Sequence, residues 1–472
     1  MADDGLQQLL NDFYPYQAST ETYRRIPYTG LSRQTAAATV ADMARREDEM
    51  GDEGRVSGSL YSGDHEHYEF LSEVFAHYAH ANVLQRDMYP SATKFEGEII
   101  AMVSSLLHGD TAKGFAGVVT SGGSESLVTA LFAYREQGRE RGITQPNVVL
   151  PVTAHVALNK GAHWMGIEVR SAPLTADYRA DVGAIAELMD ENTVALVGSA
   201  ANYPHGLIDP IEELAELAQS RGVGLHVDGC LGGLILPWIE RNGHDVPLWD
   251  FRVPGVTSIS ADTHKYGYAL KGTSVLLYRS KDLRRQQYFT FPTWPGGLYL
   301  SPGLAGSRSG GLLASTWAAL VTVGSENYLQ YADEIYATAQ AIRAGVDALP
   351  ELEVIGDPTF LVAFKAADSA EPIDIYLVND ALKDRGWRLN SLQLPPALHF
   401  CVTRPNTQEG VAEDFIAALA EAVDDAKQRR GTPAASGAMY GLGGTPQGDA
   451  TVNQVMSGVL DLMQELPPDM GQ

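Results

Sequence analysis

The sequence predicts an α/β protein: a mostly parallel β-sheet with helices on both faces, followed by a smaller α/β domain. Three observations carry this. From Gly117 to Asp228, short apolar runs alternate with helix-length amphipathic stretches, the rhythm of βαβ units. That rhythm then gives way to one long helical stretch, Ser315 to Leu349, which reads as a connector. Residues 351–430 mix strands and helices again over a length that suits a small domain. A chain of 472 residues is too long for one ordinary domain. The expected division is an N-terminal segment 1–85, a large domain 86–325, and a small C-terminal domain with its tail, 326–472.

Taken in order, residues 1 to about 60 are polar and irregular, with a helical piece over Thr35–Glu47 and a glycine-rich loop over Gly51–Gly63. Glu69–His80 and Glu96–Leu107 have helical spacing. Gly117–Thr120 is a strand that runs into Ser121-Gly-Gly-Ser124 and a helix over Glu125–Arg135. Strands Asn147–Val152, Ile167–Ser171, Thr193–Gly198 and Gly224–Asp228 alternate with helices Val156–Met165, Asp181–Met189 and Ile211–Gln219. Two β-type runs, Val253–Ser260 and Ser274–Tyr278, flank Lys265. The small domain supplies strands Thr359–Ala363 and Phe400–Thr403 and helices Ile375–Arg385 and Gly410–Lys427, before a glycine-rich tail with a helical piece over Val452–Met463.

Composition narrows the function. Hydrophobic residues are 44% and charged residues 20%, the balance of a soluble globular enzyme. A net charge of −25 argues against binding nucleic acid or an anionic membrane surface. An anionic substrate would need a local group of Lys and Arg. Cys230 and Cys401 are the only cysteines, so no disulfide framework is expected and a reducing cytoplasm is. No basic start leads into an apolar core, and every apolar run is broken well short of the ~20 residues that cross a bilayer. Neither a leader nor a membrane span is therefore expected.

The chemistry gathers at Ser258-Ile-Ser-Ala-Asp-Thr-His-Lys-Tyr-Gly267, whose Lys265 lies between two buried runs. A lysine held there loses solvation, which lowers its pKa and makes its amine a nucleophile able to form a Schiff base. The alternative is a surface lysine on a hairpin. Ser121-Gly-Gly-Ser124 offers backbone amides at a helix start, suited to a phosphate, or is an ordinary βα turn. Asp228 closes a strand where open α/β sheets bind ligands, and can pair with a protonated ring nitrogen or cap a helix. His155 ends the strand that begins near Asn147, where it can stack on a flat cofactor or serve structure. Cys230 reads as a small buried hydrophobe. Asp64-His-Glu-His67 lacks metal-ligand spacing and reads as a solvated loop, so no metal is expected. Taken together, a phosphate cup, a ring-stacking histidine, an acid and a lysine are what pyridoxal phosphate requires.

Several stretches resemble the sphingosine-1-phosphate lyase family, within the fold-type I pyridoxal-phosphate enzymes related to the group II decarboxylases. They are Val256–Tyr268, Val119–Ser126, His155–Gly166, Pro204–Pro210, His226–Gly233, Ala305–Gly311 and Gly437–Gly441. The resemblance implies a seven-stranded, mostly parallel sheet, with the N-terminal segment contributing to a dimer and its active site. It implies that Lys265 holds pyridoxal phosphate covalently, His155 stacks on the ring and Asp228 pairs with the ring nitrogen. Gly123, Ser124 and His264 would hold the cofactor phosphate. Ser307 would do so from a second copy, which implies a homodimer with shared active sites. Tyr61 and Tyr203 match tyrosines near the reacting atoms, and Lys271 matches a lysine that meets the substrate phosphate. Gln85 stands where the family has a histidine for that phosphate; glutamine donates a hydrogen bond but carries no charge. Arg86 is the neighbour placed to compensate.

Eukaryotic members carry an N-terminal membrane anchor, and this chain resembles a soluble bacterial-type form. The implied activity is carbon–carbon cleavage of sphingosine 1-phosphate, or a related phosphorylated long-chain amino alcohol, to a long-chain aldehyde and phosphoethanolamine. The rival is a group II amino-acid decarboxylase on the same cofactor; a non-catalytic scaffold is a third reading, set against both Lys265 and Asp228. Chain length and the group that moves the proton stay open at this level.

Overall fold

The computed structural model describes residues 14–16, 19–368, 372–437 and 446–466. Helices α1 (Arg33–Asp52), α2 (His65–His77) and α3 (Pro90–Leu106) precede the sheet. Seven strands then form it: β1 (Ala116–Thr120), β2 (Asn147–Pro151), β3 (Glu168–Ala172), β4 (Thr193–Ser199), β5 (Gly224–Asp228), β6 (Ser258–Ala261) and β7 (Ser274–Tyr278). Their spatial order is β1-β7-β6-β5-β4-β2-β3, and only β7 runs against its neighbours. Between them lie α4 (Gly123–Glu140), α5 (Ala157–Met165), α6 (Val182–Leu188), α7 (Ile211–Arg221) and α8 (Leu236–Arg241). Every residue of the six strands other than β3 is buried. That burial on both faces is why these strands read as unbroken apolar or small-residue runs rather than alternating ones. One core, around Leu131, Tyr134 and Leu158, lies under α4 and α5; the larger one includes Leu196, Val227 and Ile259 and continues into the small domain.

After α9 (Lys281–Arg285), a hairpin of β8 (Phe289–Phe291) and β9 (Tyr299–Ser301) leads to α10 (Gly310–Asp347). Ser309 caps α10 by accepting from Leu312 N at 3.2 Å, so the helix starts five residues before the expected Ser315. It is two helices joined at Gly324, whose φ of 67° breaks the helical path. Tyr328, beyond that joint, donates its hydroxyl to Gly267 O at 3.0 Å and stacks on Trp238. The connector is thereby tied to the Lys265 loop.

The small domain is a four-stranded antiparallel sheet, β10 (Leu352–Val354), β11 (Leu361–Ala366), β12 (Asn390–Gln393) and β13 (Pro396–Cys401), ordered β10-β11-β13-β12, with α11 (Ile375–Asp384) and α12 (Val411–Gln428). A last helix, α13, spans Pro446–Gln464. The sequence reading missed β8, β9, β10 and β12, each only three or four residues long and too short to show a period. It also extended the run before Lys265 too far back: Val253–Thr257 is loop, because Arg279 reaches in to occupy the Val253 and Val256 carbonyls. Asp64-His-Glu-His67 is not a loop either. Asp64 accepts from His67 N at 3.0 Å and caps α2, which starts at His65, four residues before the expected Glu69. Residues 438–441 of the Gly437–Gly441 stretch lie outside the described residues.

Candidate active site

Because β1 and β6 both oppose β7, strands β1, β2, β4, β5 and β6 all end at the same edge of the sheet. The connections leaving that edge carry the glycine turn, His155, Tyr203, Asp228 and Lys265. The parallel topology alone therefore gathers five sequence-distant candidates.

Asp228 is the last residue of β5 and is buried. Its Oδ1 accepts from Cys230 N at 3.0 Å and from Ser260 Oγ at 3.4 Å. His226, on the same face one pleat back, meets Ser258 Oγ at 2.7 Å and Ser260 Oγ at 3.3 Å. Burial pushes the pKa of His226 down to about 4, so a neutral imidazole and the Ser260 hydroxyl stand beside the carboxylate. Cys230 is buried and its thiol is pushed well above the usual range by that burial, which fits a packing role and not a nucleophile.

The glycine turn is shaped by close approach. Gly122 has φ 150°, a conformation that side chains resist, and α4 begins at Gly123. A Cβ on Gly123 would stand 2.7 Å from Asp262 Oδ2 and 2.9 Å from Cys230 Sγ. Ser124 lies at the second helical position. His264 completes the cup: its Nδ1 accepts from Thr273 N at 3.3 Å, which leaves Nε2 to carry the ring proton. Burial lowers the pKa of His264, so it offers a hydrogen bond rather than a charge.

Lys265 sits in the loop between β6 and β7 with its side chain 23% exposed. Sequence reasoning expects burial to lower its pKa; the structure overturns this. Burial does pull in that direction, but the carboxylate of Asp262, 2.9 Å from Nζ, outweighs it and holds the ammonium above the ordinary lysine range. Asp262 is legible in the sequence only as one residue inside the Ser258–Gly267 motif. Its spacing of three from Lys265 was the available signal.

The N-terminal segment reaches the site through the small domain. Gly58, at φ 64°, donates its N–H to Cys401 O at 3.0 Å, and Ser57 Oγ accepts from Cys401 N at 2.9 Å. This strap delivers Tyr61, buried edge-on against Tyr266 at 5.0 Å. Lys271 Nζ lies 4.6 Å from the centroid of the Tyr61 ring. Burial raises the pKa of Tyr61, so its phenol stays protonated. His155 lies four residues past the end of β2 rather than on the strand, half-buried, its Nδ1 accepting from Ala157 N at 3.2 Å. Its ring meets Tyr203 edge-on at 6.4 Å, and Tyr203 in turn meets His399 of β13 at 4.9 Å.

Ser307 and Gln85 lie together at the Asn82 turn. Asn82 Nδ2 donates to Ser307 Oγ at 3.0 Å, and Gln85 N closes a turn onto Asn82 O. Both residues are exposed, and these hydrogen bonds tie them to the Asn82 turn. What fixes their loops is a buried carboxylate that sequence reasoning passed over. Glu96 accepts from Arg308 Nη1 at 2.7 Å and Nη2 at 3.1 Å, from Val119 N at 3.1 Å, and from Arg86. Burial alone would raise the Glu96 pKa, but Arg308 and Arg86 outweigh it and hold it below the usual range. Its contribution is thus complete above the ordinary glutamate pKa and is lost as pH falls through the lowered native value. Glu96→Ala should lower unfolding free energy by about 3 kcal/mol, since it strands the mostly buried Arg308 charge. Denaturant titration at neutral pH checks this; a change under ~1 kcal/mol would make the cluster a surface pair.

Similarity to known proteins decides the family. A pyridoxal-dependent decarboxylase conserved domain matches residues 57–367. The sphingosine-1-phosphate lyase of Dictyostelium discoideum is 38% identical over 92% of this chain and 81% of its own length. The chain belongs to the sphingosine-1-phosphate lyase family. A solved Burkholderia pseudomallei sphingosine-1-phosphate lyase superposes with a TM-score of 0.89 at 47% identity, covering 96% of this chain and 100% of that one. Lactobacillus brevis glutamate decarboxylase shares the fold, with a TM-score of 0.74 at 21% identity over 88% and 98% of the two chains.

As a member of this family the protein is a pyridoxal-phosphate-dependent lyase. The residues present fit that cofactor. The turn at Gly122–Ser124 has the close-packed glycine and helix start that a phosphate needs, Asp228 is a buried carboxylate fixed by donors on one side, and Lys265 would supply the amine.

Proposed function

We infer that the protein splits sphingosine 1-phosphate, or a related phosphorylated long-chain amino alcohol, into a long-chain aldehyde and phosphoethanolamine. The observation that carries this substrate class is Lys271. Its ammonium rests on the Tyr61 ring at the rim of the site, close enough to feel the charge of Lys265. A phosphate ester on the substrate needs such a cation beside the amine-binding position; an amino acid losing its carboxylate does not.

Pyridoxal phosphate, when bound, supplies the electron sink that lets the C2–C3 bond of the amino alcohol break. Asp228 would keep the ring nitrogen protonated, and His155 would cover the ring. Gly123, Ser124 and His264 would hold the cofactor phosphate. The C3 hydroxyl gives up its proton as the bond breaks, and C2 later gains one. Lys265, Tyr61 and Tyr203 are the candidates for moving the proton.

Incubation with sphingosine 1-phosphate followed by mass spectrometry tests the reading; absence of long-chain aldehyde would remove it. Decarboxylation is the second reading, favoured by the family model over residues 57–367. It predicts carbon dioxide release from aromatic or acidic amino acids, and we expect none at comparable rates. Lys271→Ala should lower kcat/KM for phosphorylated substrates by roughly 10- to 100-fold, the worth of one charge-assisted hydrogen bond. Non-phosphorylated analogues should change far less; equal losses would detach Lys271 from the phosphate.

A homodimer with shared sites accompanies this reading. Its support is the exposure of Ser307 and Gln85, together with Phe289, Phe291, Trp294 and Leu300 exposed on and beside the β8–β9 hairpin. In the dimer Ser307 would complete the cofactor phosphate site, and Gln85, with Arg86, the substrate phosphate site. A cytoplasmic location fits two buried free cysteines. Among the described residues, no helix is long and apolar enough to cross a membrane.

A further inference from the structure

We propose that Asp262 gates cofactor loading: its carboxylate holds the Lys265 amine against the glycine turn, and the phosphate of an incoming cofactor takes over as the anion there. This rests on the reading of Lys265 as the cofactor lysine and adds a residue to it.

Asp262 is a poor choice for structure alone. It is 2% exposed, and its Oδ1 is buried with no hydrogen-bond partner among the described residues. Its Oδ2 contacts Lys265 Nζ at 2.9 Å and lies 3.6 Å from His264 Nε2. The carboxylate also presses on Gly123 so closely that only glycine fits there. A half-satisfied buried carboxylate is costly, and a buried ion pair seldom repays its desolvation. A side chain of similar size without charge would fill the space at lower cost. What the carboxylate does supply is negative charge beside His264, Lys265 and the start of α4, the groups assembled for a phosphate.

The pair also controls reactivity. Condensation joins Nζ to a carbonyl carbon and releases water, and it needs the neutral amine, whose extra proton must leave to solvent. The groups that face Lys265 are Asp262, Cys230 and Tyr61, with His264, Lys271 and Cys401 also felt. Asp262 keeps the amine protonated against the pull of burial. Without that charge, burial and Lys271 both favour the neutral amine.

The test follows capture of pyridoxal phosphate by cofactor-free full-length enzyme, read as the rise of visible absorbance and as mass after borohydride reduction. In the wild type the rate should climb about tenfold per pH unit from about pH 7 with no plateau before about pH 10, following the neutral amine. D262N should capture at least about tenfold faster at about pH 7.5 and reach its plateau at lower pH, because one pKa unit is a tenfold change in neutral amine. An unchanged or slower profile in folded D262N would overturn the proposal. Should D262N fail to fold, the wild-type profile decides, and a plateau below about pH 9 overturns it. A wild type that captures nothing at any pH would instead remove Lys265 as the cofactor lysine, and the gating role of Asp262 with it.

Discussion

Lys265→Ala is expected to yield a folded, colourless protein with turnover below detection. On the proposed reading the amine is the covalent attachment point, and Lys271 is not placed to replace it. Lys271 is six residues on, at the rim of the site, with its ammonium on the Tyr61 ring. The substitution also strands Asp262, whose only charge-balancing contact shorter than 3 Å among the described residues is Lys265. That should cost on the order of 3 kcal/mol of stability, so the fold must be checked by circular dichroism before the activity is read. A visible absorbance band on adding pyridoxal phosphate to the folded variant would transfer the role to another amine.

Asp228→Asn is expected to separate binding from chemistry. Lys265, the glycine turn and His264 remain, so the variant should still take up cofactor and turn yellow. The amide cannot keep a ring nitrogen protonated, and the neighbours offer no substitute charge. His226 is held neutral by burial, with a pKa of about 4, and Ser258 and Ser260 are uncharged. Turnover should therefore fall by about 10²–10³-fold, the usual worth of a preorganised electrostatic group, with little change in KM. A loss under tenfold would mean that ring protonation does not limit the reaction. Failure to bind cofactor would mean that Asp228 anchors rather than activates.

Much of the large domain was legible because its strands are buried on both faces. Gly224–Asp228 and Ser274–Tyr278 were read with the bounds the structure has, since turn residues flank compact apolar runs. Val253–Ser260 was over-read because apolar residues fill a buried loop as readily as a strand, and Arg279 satisfies the loop carbonyls from elsewhere. The α2 start was missed because Asp64, a good cap, was read with its histidines as polar solvated chain. The short strands of the small domain exist through pairing partners distant in sequence, such as Leu352 with Ala366 and Asn390 with His399.

By itself the sequence determined the α/β class, the order of the strands along the chain, and the residue types a phosphorylated aldehyde cofactor needs: glycine turn, histidine, aspartate, lysine. These follow from local periodicity and from chemistry that belongs to single side chains. Only the tertiary structure decided the charge on Lys265, because that depends on Asp262 lying 2.9 Å from Nζ inside a site whose burial pulls the other way. It also decided that Tyr61 is delivered by the small domain through Cys401, and that the loops of Ser307 and Gln85 are anchored by Glu96. Electrostatic balance is a sum over neighbours in space, and no spacing along the chain records it.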